Sequence, residues 1–518
     1  MKNVLFIGAV ALGLVSALLH EILWDQAAFL YLGEQVLRGR LPYVDVIELN
    51  FPGLMYFHAV PALLHRLTGW SYEVSFGVFV WGFMAGCLGL LRSLLPRFTS
   101  VGLIFVLTTV LAVTTYHFGQ REHVFTMSWL PYIVLRSLRS TNATVPTRVA
   151  ILTGAMAGIS LVLKPHFVLF WLGAEALALS RAKRLARLVT AETLAIIAVF
   201  GLYGAHFLLL GRSYVSAFLA HPVYEGLTTY SVFNYPLRAV FESLWPSAFI
   251  CLALYGVLAF HAHCREGVRE LSAQIFLMAS LALLLYIVQL KVTSTYQLVP
   301  FWSSLSFGSL LIAIDLGSER LLLAGSASPV SGSLWSRRVA PGVAASITLA
   351  TLIAVAITLP SVRQHVAEVA NRLAQERPPD PMTEFLTHNS TAGDTVLILS
   401  TSIASPFPAL LFAEREQGSR FIWLYMLPKA FLTKDNATID TVVRGIVDDA
   451  SRTRPRLILV SHVVAMIKPG GPFLLEKELL ARPEFAQFVR ARYQSDAAPL
   501  VGRWGMGWDT YTVYRRNG

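Results

Sequence analysis

Apolar runs of roughly 17 to 24 residues, separated by short polar loops, fill the first 360 positions of the chain. A helix of that length, rising about 1.5 Å per residue, crosses a hydrocarbon core of about 30 Å. The pattern predicts spans near 3–23, 53–68, 72–95, 100–117, 121–137, 147–163, 165–180, 187–210, 244–262, 271–289, 298–315 and 339–360. From Ser361 onward the periodicity changes. "DTVLILST" (394–401), "RFIWLY" (420–425), "PRLILVS" (455–461) and "DTYTVYR" (509–515) read as short buried strands, with helical patterns over 439–452 and 474–491 between them. The expected fold is an α-helical polytopic membrane protein over 1–360, of about 11–13 spans, followed by a soluble α/β domain over 361–518. No Gly-rich loop follows the strands of the tail, so its sequence supports no nucleotide site.

Composition agrees. Of 518 residues, 55% are hydrophobic and only 14% charged, against about 25% charged in a soluble domain. The net charge of +11 is not a nucleic-acid footprint, because the Arg and Lys residues sit largely in short loops between apolar runs. There they set membrane orientation. Cys87, Cys251 and Cys264 lie in or just after apolar runs and indicate no disulfide framework. The first run continues into "HEILWDQ" without a small-residue cleavage site and reads as a retained helix.

Two basic loops orient the spans. One carries Arg136, Arg139 and Arg148, the other Arg181, Lys183, Arg184 and Arg187, and both are expected to be cytoplasmic. The hairpin between them then carries Lys164-Pro165-His166 to the opposite side. Counting outward places 24–52, 117–123, 164–166, 211–243, 291–297 and the tail on that outer face. The count fails only between 53 and 117, where three apolar runs connect two outer segments, so one of the three is not a simple span. Polar groups gathered on one face predict a charged cavity open to it.

The outer segments hold the residues able to do chemistry. After the first span comes Asp25, then a 26–38 stretch whose apolar spacing (Phe29, Leu32, Val36, Leu37) predicts a short amphipathic helix at the interface. "LPYVDVIELNFPG" follows, with Asp45 and Glu48 in an irregular loop before the next run. An acid just after the first span, then "L.G..PY.D" and a proline opening the second run, resembles the GT-C glycosyltransferases. The pattern is most like that of the protein O-mannosyltransferases and the bacterial lipid A aminoarabinose transferase. Three positions depart from those relatives: Asp25-Gln26 stands for an Asp-Glu pair, Asn50-Phe51-Pro52 for Lys-Pro-Pro, and Glu122 for a second Asp.

The resemblance implies transfer of a sugar from a polyprenyl-phosphate carrier to a lipid, glycan or protein acceptor, outside a bacterial inner membrane. Inverting transfer needs a carboxylate to take the acceptor proton, and the resemblance points to Asp25. The alternative is that Asp25 caps the helix beginning near Gln26. Asp45 and Glu48 orient the acceptor, hold a divalent cation through oxygen ligands, or are solvated loop carboxylates. Glu122 corresponds to the second acidic position. A phosphate leaving group needs cations or donors, for which Arg121, His123, Lys164, His166, Lys291 and Tyr296 are the candidates. Bland alternatives stand beside each of the main cations: Arg121 pairs with Glu122, and Lys164 snorkels to the interface. No His/Cys set has zinc spacing, and no cofactor beyond that optional cation is implied. The competing readings are a secondary transporter or flippase for lipid-linked glycans, an O-antigen ligase or polymerase, and a scaffold whose outer domain binds a partner. The chain shows no internal repeat of the kind transporters carry.

Overall fold

The computed structural model describes residues 2–517 except 97, 99, 112, 114–116, 183–188, 230–233, 245–246, 262–265, 291–294, 318–358, most of 360–379, 463–473 and 505–506. Its helices before the tail are α1 (Lys2–Leu18), α2 (Trp24–Leu37), α3 (Pro52–Thr68), α4 (Tyr72–Leu94), α5 (Val101–Val106, running on as a π-turn to Leu111), α6 (Arg121–Ser140) and α7 (Thr147–Leu161). They continue with α8 (Val168–Ala182), α9 (Ala191–Phe218), α10 (Gly226–Thr228), α11 (Leu237–Leu244), α12 (Ser247–His261), α13 (Glu266–Gln289) and α14 (Val299–Gly317). Each expected span up to 298–315 therefore coincides with a helix, although the 100–117 run is helical only to Leu111. The 339–360 run lies outside the described residues, apart from Leu359. Among the described residues, four helices are long and apolar enough to cross a membrane: Tyr72–Leu94, Ala191–Glu225, Arg269–Gln289 and Thr295–Ile314. Four shorter apolar helices accompany them: Val4–Leu18, Val101–Leu111, Thr147–Leu161 and Pro165–Ser180. α9 is apolar yet turns Leu202, Leu208 and Leu209 outward, the last two 84% exposed. A helix with that surface is at home only in lipid.

The chain divides into two compact units, one of 1–21, 76–204 and 235–375, the other of 22–75, 205–234 and 376–518. In the first unit α6 is the central helix, buried continuously from Arg121 to Leu138. It packs against α7, α8, α13 and α14. Close approach of α9 to α7 depends on Gly154, where a Cβ would stand 2.2 Å from the Glu192 carbonyl oxygen. Arg136 thus lies inside a helix and is buried, not in a cytoplasmic loop. Its partners explain why it can be: it bonds Glu175 at 2.8 Å and Glu192 at 3.3 Å.

In the second unit α2 packs along α3. Gly33 allows this, since a Cβ there would meet the His58 backbone at 2.6 Å. The expected amphipathic surface helix is instead buried on all sides from Gln26 to Gln35, because α3 and the tail helix Pro406–Phe412 both cover it. α3 is not among the helices apolar and long enough to span. Of the three runs between 53 and 117, only Tyr72–Leu94 meets that condition among the described residues, and Val101–Leu111 is a shorter apolar helix. The segment 211–243 is no loop: α9 breaks at Gly211 (φ 83°), resumes to Phe218, and passes through a π-helical stretch Leu219–Glu225 into α10.

The tail forms a six-stranded sheet of β1 (Thr395–Leu399), β2 (Glu416–Gln417), β3 (Leu457–Ser461), β4 (Tyr493–Ser495), β5 (Leu500–Trp504) and β6 (Gly507–Arg516). The order is β2-β1-β3-β6-β4, with β5 also on β6; β2, β1 and β3 run parallel and β6 antiparallel to its neighbours. Three of the four expected strands are present. The fourth, 420–425, is irregular, because Phe421 pairs with Ile47 of the first loop and the short β2 takes the sheet edge. The expected 474–491 helix is two, Leu475–Leu480 and Pro483–Arg492, parted before Pro483. Leu397, Leu399, Ile458 and Val460 share one core with Val442, Val443 and Ile446 of the helix Asn436–Thr453. That helix is capped by Asp435, whose side chain accepts the Thr438 N–H at 3.1 Å.

Candidate functional site

Asp25 occupies the first turn of α2 and is half-buried. The N-cap is Leu23, with extended backbone and no side-chain bond, so Asp25 is not the cap residue. A carboxylate in the first turn still interacts favourably with the helix dipole. The helix start at Trp24, two residues earlier than the sequence suggested, is what removes the capping explanation.

The loop after α2 folds onto the tail within the second unit. Tyr43 takes a left-handed backbone (φ 67°), its hydroxyl donates to the Asn50 carbonyl at 2.6 Å, and its ring meets Tyr214 and Phe218. Asp45 is exposed and closes the turn by accepting the Leu41 N–H at 2.8 Å. The "PY.D" motif is therefore a folding device for this loop. Ile47 pairs with Phe421, donating its N–H to the Arg420 carbonyl at 2.7 Å. Glu48 is buried; it accepts from Trp423 Nε1 at 3.0 Å and from the Asn50 amide at 2.6 Å. Burial raises its pKa above the ordinary carboxylate value, and those hydrogen bonds only partly offset the rise. With Glu48 occupied in this way and Asp45 turned outward, the pair does not form a metal site. Among the described residues no three His, Cys, Asp or Glu side chains gather to hold an ion.

A second constellation lies in the first unit. Glu122, in the first turn of α6, bonds the Lys164 ammonium, and both are buried. Glu122 thus takes its ion-pair hydrogen bond from Lys164, 42 positions away. Lys164 is only 9% exposed, so it is no snorkelling anchor. Its ammonium also lies over the Tyr296 ring, 5.5 Å from the centroid. Arg121, also buried, stands within electrostatic reach of Glu122, so two cations face one carboxylate. Beside them is a small pocket, with about 10 Å³ of free space, lined by Glu122, His166, Phe167, Tyr286 and Gln297. His123 points elsewhere and braces the preceding turn: its Nδ1 accepts the Gly119 N–H at 2.8 Å. Lys291 lies outside the described residues.

The structure thus gathers Glu122, Arg121, Lys164, His166 and Tyr296, and separates Asp45 and Glu48 by role. The sequence reading missed the second charge cluster on α6. There Arg136 and Arg139 meet Glu175 and Glu192, and the Tyr132 hydroxyl donates to Glu175 at 2.5 Å. Arg136 and Tyr132 recur four residues apart, and Glu175 and Glu192 sit in apolar runs, which was the available signal. It missed as well the hold of the tail on 219–228: Tyr425 donates to Glu225, and Lys429 Nζ donates to the Thr228 carbonyl at 2.9 Å.

No protein-family model matches the sequence, and no curated protein does. Among solved structures, the chain is similar to the crystal structure of ArnT from Cupriavidus metallidurans bound to undecaprenyl phosphate. The likeness covers 99% of this chain and 97% of that one, with a TM-score of 0.51 and 11% sequence identity. At that identity it is a likeness of fold alone, and it agrees with the resemblance read around Asp25: the chain shares the fold of the ArnT structure over nearly its whole length.

Proposed function

We propose that this protein transfers a sugar from a polyprenyl-phosphate donor to a hydroxyl of a lipid, glycan or protein acceptor on the outer face of the membrane, with inversion. The observation that carries the reading is the likeness over nearly the whole chain to ArnT, whose structure was bound to undecaprenyl phosphate. The buried cations Arg121 and Lys164, gathered with Glu122 beside a pocket, support it, since guanidinium and ammonium groups are the side chains that bind phosphate. In the reaction the acceptor oxygen forms a bond to the anomeric carbon as the bond from that carbon to the phosphate oxygen breaks. The phosphate leaves with the bonding electrons, stabilised by Arg121 and Lys164. The base for the hydroxyl proton is assigned to Asp25 from the sequence resemblance. Sidedness rests on the basic residues 181–187 and on Lys164, at the other end of the α7–α8 hairpin.

The test is Asp25→Asn in purified protein supplied with a polyprenyl-phosphate sugar. Asn matches Asp in size, and α2 takes its cap elsewhere, so the variant folds like the parent. Loss of a general base lowers the rate by about 10²–10⁴-fold. Turnover at the parent's rate would assign the base to another carboxylate and remove Asp25 from the mechanism.

A further inference from the structure

A separate cleft opens in the second unit, toward the C-terminal end of α2. Its free space is about 170 Å³, and Gln35, Arg38, His65, Arg66 and Glu414 are among its walls. Nine residues along α2 separate Glu34 in this cleft from Asp25, roughly 14 Å of helix.

The cleft is built of fixed polar groups. Glu34 is only 4% exposed and accepts from Arg66 Nε at 2.8 Å, with Arg38 Nε 4.0 Å away and the Tyr72 hydroxyl beside it. Arg38 and Arg40 both bond Glu416, the latter at 2.6 Å. Gln35 is 2% exposed, and its Oε1 makes no hydrogen bond. A buried acceptor left in that state is costly unless a ligand supplies a donor. His65 and Tyr72 stack with centroids 3.8 Å apart and planes 23° apart, which makes a flat wall. Arg415 at the back is committed to Ser390 Oγ at 2.7 Å and to backbone carbonyls, so it belongs to the frame.

These features select among ligands. An isolated phosphate would have to displace carboxylates, because Arg66 is already held by Glu34 and Arg38 by Glu416. A simple cation would meet those same guanidiniums. A ring bearing several hydroxyls suits the cleft. Its O–H groups donate to Gln35 and Glu34, its oxygens accept from the free faces of Arg38 and Arg66, and its apolar face lies on the aromatic pair.

We propose that this cleft is a second saccharide site, which binds a neutral sugar unit of an extended acceptor remote from the hydroxyl that reacts. Its assignment to the acceptor rests on the glycosyltransferase reading; its affinity for sugar does not.

Ligand-observed saturation-transfer NMR on the full chain in nanodiscs tests it, with methyl α-mannoside, N-acetylglucosamine and glucuronic acid as probes at millimolar concentration. At least one neutral sugar should give a signal that weakens about tenfold in Gln35→Met, as expected for loss of one buried hydrogen bond. Met nearly matches Gln in size and removes the unsatisfied acceptor, so the melting temperature should hold or rise. His65→Leu, at a partly exposed position, gives an independent reading should Gln35→Met lose stability. Absence of signal from all three sugars, signal from glucuronic acid alone, or equal signals in parent and both variants would overturn the proposal. Asp25→Asn should retain the sugar signal, so a failed transferase reading leaves this result intact and recognisable.

Discussion

The two ends of α6 carry buried ions of the same kinds in different settings. At Arg136 two guanidiniums meet two carboxylates, and Tyr132 satisfies a remaining lone pair of Glu175. At Glu122 two cations share one carboxylate beside a pocket. Glu122 and Arg136 are fourteen positions apart, roughly 21 Å along the helix. The first cluster is closed among helices and serves to fix them; the second has a carboxylate on a pocket wall, where a ligand can reach it. The sequence reading ranked Arg136 as a loop charge and Lys164 as a site residue. Burial makes both structural in part, and it is access to a pocket that separates them.

The largest effect should come from the Arg136 end. Arg136→Met leaves Glu175 and Glu192 with only Arg139, which is partly exposed. Removing one partner of a buried ion pair costs about 3–5 kcal/mol, so the variant should accumulate poorly and melt well below the parent in detergent. Near-parent stability with lost transfer would mean that this cluster is also a ligand site, and the contrast would break down.

A smaller stability effect with a specific loss of activity is expected at the other end. Lys164→Met should lower use of the polyprenyl-phosphate donor by about 10²–10³-fold, the range seen when one electrostatic partner of a transition state is removed. Part of its stability loss arises because Glu122 then lacks its bonded ammonium. The double variant Glu122→Gln/Lys164→Met removes that strain, since a buried pair replaced by neutral groups is often tolerated. Melting temperature should recover in the double variant and donor use should not. Recovery of both would reduce Lys164 to a structural bolt like Arg136.

Much of the helix layout was legible because crossing a membrane imposes a local rule on length and polarity that each run obeys by itself. The tail strands β1, β3 and β6 were legible for the same reason, as continuous apolar or alternating runs. The irregular 420–425 segment was not: its β-like composition serves a bridge to Ile47, a partner supplied from far away in the chain. α2 misled the periodicity argument because neighbours cover its polar face too, burying Glu34 against Arg66. Of the site, Glu122, Lys164 and Tyr296 could be grouped from topology. The roles of Asp45 and Glu48 could not, since they depend on a turn geometry and on Trp423, 375 positions beyond Glu48.

Glu48 sharpens the comparison by supplying a third case, a buried carboxylate whose hydrogen bonds come from neutral donors. Trp423 and Asn50 hold it, but desolvation is the larger influence and its pKa lies above the ordinary value. A carboxyl group with a raised folded-state pKa stabilises the fold fully below its unfolded pKa of about 4.3. That contribution fades as pH rises through the folded value, where the charged form must be kept in a poorly solvating place. Glu48→Gln abolishes the titration and, with one oxygen, keeps one of the two acceptor positions. At acidic pH it should melt slightly below the parent, by the equivalent of about 1 kcal/mol for the altered hydrogen bond. As pH rises toward 8 the parent should lose stability relative to the variant, so the gap narrows or reverses. Melting curves for both proteins across that pH range decide the matter. A gap that widens with pH would mean that Glu48 is stabilised as an anion, and that a cation, as at Arg136, supports it after all.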